Sequence, residues 1–474
     1  MTNSTVAQAS NLILALDVGT LSVRAAVYDQ RGKMQALASQ PISLNRLSET
    51  KIEQSPVELK EGLATVMNDV LAKPIVQEQG VVKAGLSTQR SSVVAWNRET
   101  GEPLSPVLSW QDRRAANYLK PLGNKRTAIK RKSGLFLSPH YGASKLRWLL
   151  DHCPPLKTEN NLIFGPLAAF MVYNLVQGNP RIVDHVNASR TQLMDLAERD
   201  WSDDLLRQFK LEKQLLPTCQ PTQSFYGWIA GTEIPLTAVN GDQNAAIHGS
   251  GQVDQGTCIV NVGTGAFILL ATGKRPIYHP RLLASIANST ATDATYLLEG
   301  TVNSAGAAIQ WASEQWDEPN IVPQLEGWLA EVEEPPIFVN TIGGLGSPLW
   351  IDGPPPYFIG EGTLAEKSVA IVESIVFLLK INLEAMRNTG QVVKRIRISG
   401  GLSALDGLCQ RLADISQRAV IRSEERQATA RGIAWLASNQ KEGWASHDEK
   451  YFLPKQNRPL DHRYRQFCAQ LGWS

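Results

Sequence analysis

Two aspartates in this sequence stand beside glycine turns in a way that suits chemistry on a phosphate group. The first, Asp242, follows Gly241 and precedes a small-residue helix start, where free backbone N–H groups suit a carboxylate. Further along, Gly263-Thr264-Gly265 ends an apolar run, and its glycines let backbone N–H groups approach a phosphate without hindrance from a Cβ atom. An acid at this place could accept the proton of a substrate hydroxyl.

The same layout occurs near the N-terminus. An apolar run, Leu12 to Leu16, leads into Asp17-Val18-Gly19-Thr20, and a second apolar run, Val23 to Tyr28, follows. This pattern predicts a strand, a Gly-Thr turn, a strand, a turn and a strand. Asp17 could hold Mg²⁺ through water, since Mg²⁺ keeps much of its hydration and favours a carboxylate together with phosphates. We therefore expect two related halves that face one another, with both acids around one cleft.

Phosphoryl transfer is the chemistry that these pieces favour together. It needs cradled phosphate oxygens, a placed Mg²⁺ and a group that takes the proton of the attacking hydroxyl. A third glycine turn, Gly400-Gly401, follows a predicted strand that contains Ile396 and Ile398. One Gly-Thr-Gly turn alone is a weak sign, whereas two such turns with paired acids and a further glycine turn are a much stronger one.

The elements that position these turns form an α/β pattern. Val81 to Leu86 is predicted as a strand, and the polar loop Ser87 to Ser92 follows it, at the end where α/β sheets usually bind ligands. Asp184 to Thr191 is predicted as another polar loop. The apolar residues between Ser368 and Met386 predict a long buried helix, and Cys258, in an apolar strand, is predicted to be core.

Length and charge narrow the class of protein. A chain of 474 residues is too long for a single core, so we predict two domains. Its 47 Lys and Arg nearly balance its 45 Asp and Glu, which argues against a nucleic-acid partner. The apolar runs fall short of a membrane span, and the five cysteines lack metal-ligand spacing. We predict a soluble, cytoplasmic α/β protein with no membrane partner.

The ordered motifs of this chain resemble those of the FGGY carbohydrate kinases, and among these the chain looks most like the glycerol kinases. The resemblance covers nearly the whole chain, from about Leu12 to the C-terminal helix. The matching pieces are LALDVGTLSVRAAVYD, STQRSSVVAWNRETGEPL, SWQDRR, GASKLRW, VNASRT, GDQNAA, NVGTGAF, SAGAAIQW, GGLGSPLW and ISGG.

The resemblance implies an α/β fold of two ribonuclease-H-like domains, of the actin/hexokinase superfamily, with the active site in the cleft between them. Residues 1–250 are expected to form the N-terminal domain, which binds the sugar or polyol and carries the first phosphate motif. Residues 251–474 are expected to form the nucleotide-binding C-terminal domain, with a helical tail. ATP and Mg²⁺ are the expected cofactors, a small sugar or polyol is the expected partner, and a homodimer stays an open alternative.

Carried over residue by residue, the resemblance also implies roles for individual side chains. Asp242 matches the family's catalytic base, and Asp17, the residue that could hold Mg²⁺, lies in the family's first phosphate motif. The positions expected to contact the substrate are Arg90, Ser91, Trp110, His140, Asp242, Gln243 and Phe267. The positions expected to contact ATP are Asp17, Gly19, Thr20, Arg24, Gly263, Thr264, Gly265, Gly306, Gln310, Gly400 and Gly401.

The sequence departs from the family pattern at positions expected to contact the acceptor and at the turns expected to contact the nucleotide. Ser91 stands where glycerol kinases have an acid, and His140 stands where they have a tyrosine; both of those groups contact glycerol hydroxyls in the family. Leu21 removes one hydroxyl from the phosphate turn, and Leu405 and Asp406 replace the asparagines that usually follow the adenosine glycines. A pocket built for hydroxyls rejects substrates that leave its polar groups unpaired. The sequence therefore predicts retained chemistry with a changed acceptor, such as a larger sugar or polyol.

Plainer interpretations stay open for several of these residues. Asp242 could be only a helix cap, and Asp17 only a turn residue. Arg90 could pair with a local acid, Trp110 could be core, and His140 could be a structural histidine. For the whole chain, a nucleotide-binding regulator without kinase activity is one alternative. An ATP or polyphosphate hydrolase is another, since a fold alone does not determine function.

Overall fold

The computed structural model describes residues 11–423, 425, 427–439, 444 and 449–473. The N-terminal half consists of a large mixed sheet, smaller sheets and the helices that cover them. Its strands are β1 (Leu12–Val18), β2 (Ser22–Tyr28), β3 (Met34–Pro41), β4 (Asn45–Arg46), β5 (Ile52–Gln54), β6 (Val81–Thr88), β7 (Val93–Asn97), β8 (Val107–Leu108), β9 (Leu162–Pro166), β10 (Ile182–Asp184), β11 (Met194–Asp195), β12 (Asp200–Trp201), β13 (Thr218–Gln220), β14 (Gln223–Trp228) and β15 (Pro235–Gly241). Its helices are α1 (Pro56–Leu71), α2 (Pro74–Gln79), α3 (Arg126–Ser133), α4 (Gly142–His152), α5 (Pro154–Thr158), α6 (Leu167–Leu175), α7 (His185–Ser189), α8 (Asp203–Phe209) and α9 (Asp242–Ala246), with 3₁₀ turns at Ala116–Lys125 and Lys213–Leu215.

The large sheet of the N-terminal half has six strands in the order β14-β15-β6-β1-β2-β3. Strands β1, β2 and β3 form an antiparallel meander, whereas β6 lies parallel to β1 and β15 lies parallel to β6. The carboxyl ends of parallel strands meet at one edge of a sheet, where α/β proteins bind ligands. Asp17 lies near the end of β1, Arg90 follows β6 and Asp242 follows β15, so this edge collects the predicted site residues.

The C-terminal half contains a second large sheet and a bundle of helices. Its strands are β16 (Thr257–Val262), β17 (Ala266–Gly273), β18 (Leu283–Ser289), β19 (Ala294–Val302), β20 (Ile337–Val339), β21 (Tyr357–Ile359), β22 (Arg395–Ser399), β23 (Val420–Ser423) and β24 (Glu449–Phe452). Its helices are α10 (Gly306–Trp316), α11 (Ile321–Glu331), α12 (Leu364–Arg387), α13 (Asp406–Ser416), α14 (Ala428–Ser438) and α15 (Arg458–Gln470), with a 3₁₀ turn at Gly401–Ala404.

This second sheet repeats the topology of the first. Its seven strands lie in the order β18-β19-β17-β16-β22-β23-β24. Strands β16, β17 and β19 are antiparallel neighbours, β22 lies parallel to β16, and β23 lies parallel to β22. The same arrangement relates β1, β2 and β3 to β6 and β15. The duplicated strand–turn–strand unit that the sequence predicted is therefore confirmed.

Strand β1 is buried on both of its faces. Leu12, Leu14 and Leu16 belong to the main core of the N-terminal half, whereas Ile13 and Ala15 pack with α14. Successive side chains of a strand point to opposite faces of the sheet, so a continuous apolar run is what such a strand requires. Helix α14 comes from the C-terminal half of the chain and covers the far face of the first sheet.

One local prediction was wrong. The segment from Asp184 to Thr191 is not a polar loop, because it contains helix α7. The Asp184 carboxylate accepts a hydrogen bond from the backbone N–H of Asn187 at 2.9 Å and thereby caps the helix. The segment is buried throughout, so its polar side chains bind other protein groups and not solvent. Polar composition was therefore a poor guide to its structure.

Other expectations about the elements are confirmed. The predicted long helix lies within α12, which begins with a capping box formed by Thr363 and Glu366. Cys258 is fully buried in β16, and all five cysteines are free thiols. Among the described residues, no helix combines the length and the apolar character that crossing a membrane requires.

Candidate active site

A cavity of about 750 Å³ lies between the two large sheets, at the edge that collects the predicted site residues. A cavity of this size falls in the range of small-molecule sites. Its lining includes predicted site residues from both halves of the chain, namely Arg24, Asp242, Gln243, Phe267, Gly400 and Gly401. Its remaining lining includes Ile259, Asn261, Arg397, Arg422 and the start of α14 at Ala428 and Thr429.

Asp242 is the first residue of α9 and is half-buried at the cavity wall. Its Oδ1 accepts a hydrogen bond from the N–H of Gln243 at 2.7 Å. The residue at the cap position is Gly241, and no side chain caps the helix there. Burial raises the pKa of the Asp242 carboxyl above its ordinary value, while the neighbouring Arg90 guanidinium opposes that rise. A half-buried carboxylate of raised pKa at a cavity has the properties of a general base.

Asp17 lies deeper, near the end of β1, and only 5% of it is exposed. Its Oδ1 accepts a hydrogen bond from the Ser87 hydroxyl at 2.8 Å, and Arg24 Nη1 lies 3.8 Å from its Oδ2. Burial raises the pKa of Asp17 to about 6, and the charge of Asp242 adds to that rise. The two acids are therefore close enough to interact, as the sequence predicted.

Arg90 is held by protein groups on three sides. Its Nη1 donates to Asn244 Oδ1 at 2.7 Å, and its Nη2 donates to Gln243 Oε1. Its Nη1 also lies 3.7 Å from the carboxylate of Glu299. The pairing of Arg90 with a local acid, which was one alternative, is thus present in the structure. Burial and the nearby positive charge of Arg190 lower the pKa of Arg90 to about 10, so it remains a cation at neutral pH.

The side chains of Trp110 and His140 pack against each other, next to the turn that contains Thr20. Trp110 Nε1 donates to Thr20 Oγ1 at 3.0 Å, and its ring lies edge-to-face with the His140 ring at 5.6 Å between centroids. Trp110 is only partly buried, so it is not a core residue. Burial, reinforced by the charge of Lys145, lowers the pKa of His140 to about 3. His140 is therefore a neutral imidazole, with one nitrogen that donates and one that accepts.

Ser91 has a backbone conformation that few side chains adopt, with φ of 63°. It is 5% exposed, and its Oγ has no hydrogen-bond partner within the described part of the chain. Buried hydroxyls normally find partners, and an unpaired one is the kind of group that a bound hydroxyl or water satisfies. Position 91 therefore offers a buried hydroxyl group where the family pattern has a carboxylate.

Lys145 is a residue of this site that sequence reasoning did not find. Its side chain is fully buried on α4, and its Nζ donates to three carbonyl oxygens, those of Ser91, Ser109 and His140, at 3.1, 2.7 and 2.9 Å. These carbonyls belong to the three segments that carry the predicted substrate contacts. Burial lowers the pKa of Lys145 to about 7, while the three acceptors favour the protonated amine. The signal available in the sequence was the spacing of Lys145, which lies one helical turn before the buried Leu149.

Glu299 and Arg190 were also missed. Glu299 lies on β19 of the second sheet and is 5% exposed, and both of its carboxylate oxygens lie 2.5 Å from Arg190 Nη2. Arg190 follows α7 of the N-terminal half and is 3% exposed. The two Arg neighbours lower the pKa of Glu299 to about 2. A glutamate within the apolar run of a buried strand was the signal that could have found this pair.

The glycine turns that the sequence assigned to the nucleotide lie at the strand ends of the second sheet. The carbonyl of Gly263 accepts from the N–H of Gly306 at 2.9 Å, and that of Thr264 accepts from the N–H of Ala307 at 3.0 Å, so this turn sits on the start of α10. Gly400 has φ of 93°, and a Cβ there would lie 2.5 Å from the Val262 carbonyl. Within the described residues, the cavity lining does not include the predicted site positions Asp17, Gly19, Thr20, Arg90, Ser91, Trp110, His140, Gly263, Thr264, Gly265, Gly306 or the exposed Gln310.

The residues present fit Mg²⁺ and a nucleotide. Within the described residues there is no cluster of three or more metal-binding side chains, but Mg²⁺ bound with phosphates needs only one or two protein carboxylates. Asp17, with Asp242 as its charged neighbour, meets that need. A Cβ added to Gly401 would meet no atom within 4 Å, so backbone at this turn is open to a ligand in the cavity.

Two family models match the chain in succession. The model described as the FGGY family of carbohydrate kinases, N-terminal domain, matches residues 12–249, and the corresponding C-terminal model matches residues 258–440. The chain belongs to the FGGY family of carbohydrate kinases. It is therefore a kinase, and its cofactors are ATP and Mg²⁺, as the resemblance had implied.

Full-length relatives and solved structures agree with this membership. Glycerol kinase 2 of Sulfolobus acidocaldarius is 31% identical over 98% of this chain and 97% of its own length. The glycerol kinase of Geobacter sp. is 32% identical over 97% of this chain and 99% of its own length. The crystal structure of Plasmodium falciparum glycerol kinase with ADP superposes with a TM-score of 0.88 at 23% identity, over 98% of this chain and 97% of that one. Xylulose kinase from Rhodospirillum rubrum superposes with a TM-score of 0.87 at 20% identity, covering 98% of each chain. These structures confirm the two-domain fold of the actin/hexokinase type.

Lys145→Met is expected to loosen the wall that Ser91, Ser109 and His140 form. The substitution leaves three buried carbonyls without their donor, at a cost of about 1–3 kcal/mol for each unsatisfied group. We expect a lower free energy of unfolding and a higher KM for the acceptor, with KM for ATP little changed. Thermal unfolding and steady-state kinetics measure both effects. Lys213→Met, at an exposed lysine, is the matched control and should change neither; an unchanged KM for the acceptor in Lys145→Met would contradict this role.

Proposed function

We propose that this kinase transfers the terminal phosphoryl group of ATP to a hydroxyl of a small sugar or polyol, with Asp242 as the general base. The observation that carries the proposal is the position of Asp242, a half-buried carboxylate of raised pKa on the wall of the cavity between the two sheets. The names of the relatives, which are glycerol kinases, support an acceptor of the polyol class.

In this mechanism, Asp242 accepts the proton of the acceptor hydroxyl as that oxygen attacks. The raised pKa of Asp242 makes it a stronger base than an exposed aspartate, and Gln243 beside it is placed to hold the acceptor. Mg-ATP supplies the phosphoryl group and positive charge that offsets charge on the phosphate oxygens. Arg24 lines the cavity and lies 3.8 Å from Asp17, and in this proposal Asp17 would hold the metal and Arg24 would contact phosphate.

The remaining assignments divide between the two sides of the cleft. On the acceptor side we place Arg90, Ser91, Trp110, His140, Gln243 and Phe267. On the nucleotide side we place Asp17, Gly19, Thr20, Arg24, Gly263, Thr264, Gly265, Gly306, Gln310, Gly400 and Gly401. We propose a domain boundary near residue 250, with 1–250 as the acceptor-binding domain and 251–474 as the nucleotide-binding domain, although α14 packs on the first sheet. The five free thiols favour a cytoplasmic location for the enzyme.

The acceptor wall favours a substrate other than glycerol. Ser91 offers an unpaired hydroxyl and His140 a neutral imidazole, so neither supplies the negative charge of an acid at the wall. A shorter side chain at position 91 also leaves room, which suits an acceptor larger than glycerol. Such a pocket should therefore discriminate by the number and placement of hydroxyl groups.

A panel of acceptors tests the proposed function. We expect the purified enzyme with Mg-ATP to release ADP faster when a polyol or ketose is added, with a larger acceptor giving a higher kcat/KM than glycerol. A coupled assay for ADP measures this, and an acceptor-free reaction with the same ATP is the control. A preference for glycerol would contradict the assignment of Ser91 and His140 to acceptor selection. A flat panel with measurable ATP binding would contradict the proposed function and favour a nucleotide-binding regulator.

A further inference from the structure

We propose that Glu299 is a positioning residue for the base Asp242, acting across the domain interface through Arg190 and Arg90. This inference rests on the proposed function, because it treats Asp242 as the base. It concerns a residue on the second sheet that lies outside the residues lining the cavity.

The Glu299 carboxylate joins two cations from the other half of the chain. Arg190 Nη2 lies 2.5 Å from both of its oxygens, Arg90 Nη1 lies 3.7 Å away, and the Ser285 hydroxyl donates to Oε1. The charge of Arg190 also acts on the buried Tyr141 hydroxyl and opposes the rise of its pKa that burial causes. Glu299, Arg190 and Ser285 are buried, and the Arg90 side chain is 11% exposed, so their interactions are screened little by water and each depends on its partners. Glu299 is thus the acceptor around which the network is arranged.

The network reaches Asp242 through the residues that follow it. Arg90 donates to the side chains of Gln243 and Asn244, the second and third residues of α9. Asn244 Nδ2 in turn donates to the Ile286 carbonyl of β18 at 2.7 Å. The hairpin of β18 and β19 is therefore connected to α9 in two ways. One connection is the direct hydrogen bond of Asn244, and the other runs from Glu299 through Arg90. The orientation of the Asp242 carboxylate depends on both links.

The charges of the network also set how strongly Asp242 holds its proton. Burial raises the pKa of Asp242, whereas Arg90 and Arg190 both lower it, and Glu299 pairs with both of these cations. Removing the negative charge of Glu299 leaves the two cations uncompensated, so the pKa of Asp242 should fall further. Strands β15 and β18, which pack against α9, carry no ionisable side chain. Other charged and titratable groups surround Asp242 and α9. They are Asp17 and Arg24 at the first turn, Tyr141 at Arg190, Lys83 on β6, His248 after α9, Arg431 on α14, and Arg397, Arg422 and Glu425 in the cavity lining.

Glu299→Gln is expected to change the pH dependence of turnover. A base of lower pKa works at lower pH but accepts a proton less well, so the acidic limb of the kcat profile should move to lower pH. The maximal kcat should fall by about 10-fold to 100-fold because α9 also loses part of its support. KM for ATP should stay unchanged. Glu299→Asp keeps the charge and should keep the wild-type limb. If Glu299 had a purely structural role, Glu299→Gln would have a lower Tm while the acidic limb of its kcat profile stayed at the wild-type pH. That result would overturn the proposal.

Arg190→Gln provides the opposite test. It removes one of the two cations beside Asp242, so the acidic limb should move to higher pH. If Glu299→Gln does not fold, the pH profile of Arg190→Gln tests the proposal by itself. The double variant Glu299→Gln/Arg190→Gln removes both charges of the pair, so its acidic limb should lie close to that of the wild type. Movement of both single variants in the same direction would contradict the proposal.

A titration of the carboxyl carbon of Asp242 by ¹³C NMR separates this inference from the proposed function. It needs no turnover, and Asp242→Asn assigns the signal. A lower pKa of Asp242 in Glu299→Gln supports the coupling even if no acceptor is phosphorylated, whereas an equal pKa in both proteins overturns it. Absence of turnover in the wild type would instead count against the proposed function alone.

Discussion

Replacing Asp242 with asparagine is expected to reduce kcat by roughly 10²–10⁴-fold, the range that a positioned general base contributes. The amide keeps the size of the side chain and its place on α9 but cannot take the proton of the acceptor hydroxyl. ATP binding should be retained, because the nucleotide turns at Gly263–Gly265 and Gly400-Gly401 belong to other elements. Steady-state kinetics and calorimetric titration with nucleotide measure the two properties.

The pH profile of the wild type supplies a second sign of the same group. Since burial raises the pKa of Asp242, kcat should fall as pH decreases through that raised value, where the carboxylate becomes protonated. Asp69→Asn, at an exposed aspartate on α1, is the matched control and should leave kcat intact. Retained turnover in Asp242→Asn, or loss of its nucleotide binding, would contradict the assignment of the base.

Gly432→Ala is expected to disrupt the contact between α14 and α9. A Cβ at Gly432 would lie 1.8 Å from the carbonyl oxygen of Ala245, so backbone must move to admit it. Overpacking of this kind costs about 1–3 kcal/mol and occasionally more. Helix α14 begins at the cavity, and α9 carries Asp242, so the shift should lower kcat as well as the free energy of unfolding. Chemical unfolding and kinetics at saturating ATP measure both.

Gly327→Ala is the matched control for this prediction. Gly327 lies within α11, and a Cβ there would meet no atom within 4 Å. The same substitution in an open helical position stabilises by about 0.5–1 kcal/mol because alanine has the higher helix propensity. The two variants should therefore move stability in opposite directions. Wild-type kcat in Gly432→Ala would mean that α14 has no part in holding the base.

The duplicated fold could be predicted from the sequence because its signals are local. Each unit combines a mostly apolar strand with a Gly-Thr turn and a second strand, and both patterns are short enough to recognise directly. The strand ends then place Asp17 and Asp242 at one edge by topology alone. The long buried helix was equally evident, since its apolar residues repeat over several turns.

The supporting residues could not be predicted in the same way because their partners are distant in the sequence. Glu299 pairs with Arg190 and Arg90, which lie on elements of the other half, and nothing local specifies that pairing. Lys145 shares this property, since its three acceptors come from separate loops. Helix α7 was missed for a related reason, because the buried surroundings of its polar side chains are set by tertiary packing.

The most direct test of the central claim is the stoichiometry of a single reaction. Purified enzyme, Mg-ATP and the best acceptor of the panel are incubated, and ADP, phosphorylated acceptor and inorganic phosphate are counted by ³¹P NMR. Phosphoryl transfer predicts one phosphorylated acceptor for each ADP, with no excess of inorganic phosphate, and formation of both products slowed by roughly 10²–10⁴-fold in Asp242→Asn. Inorganic phosphate equal to ADP, released whether or not the acceptor is present, would contradict the account and identify a hydrolase.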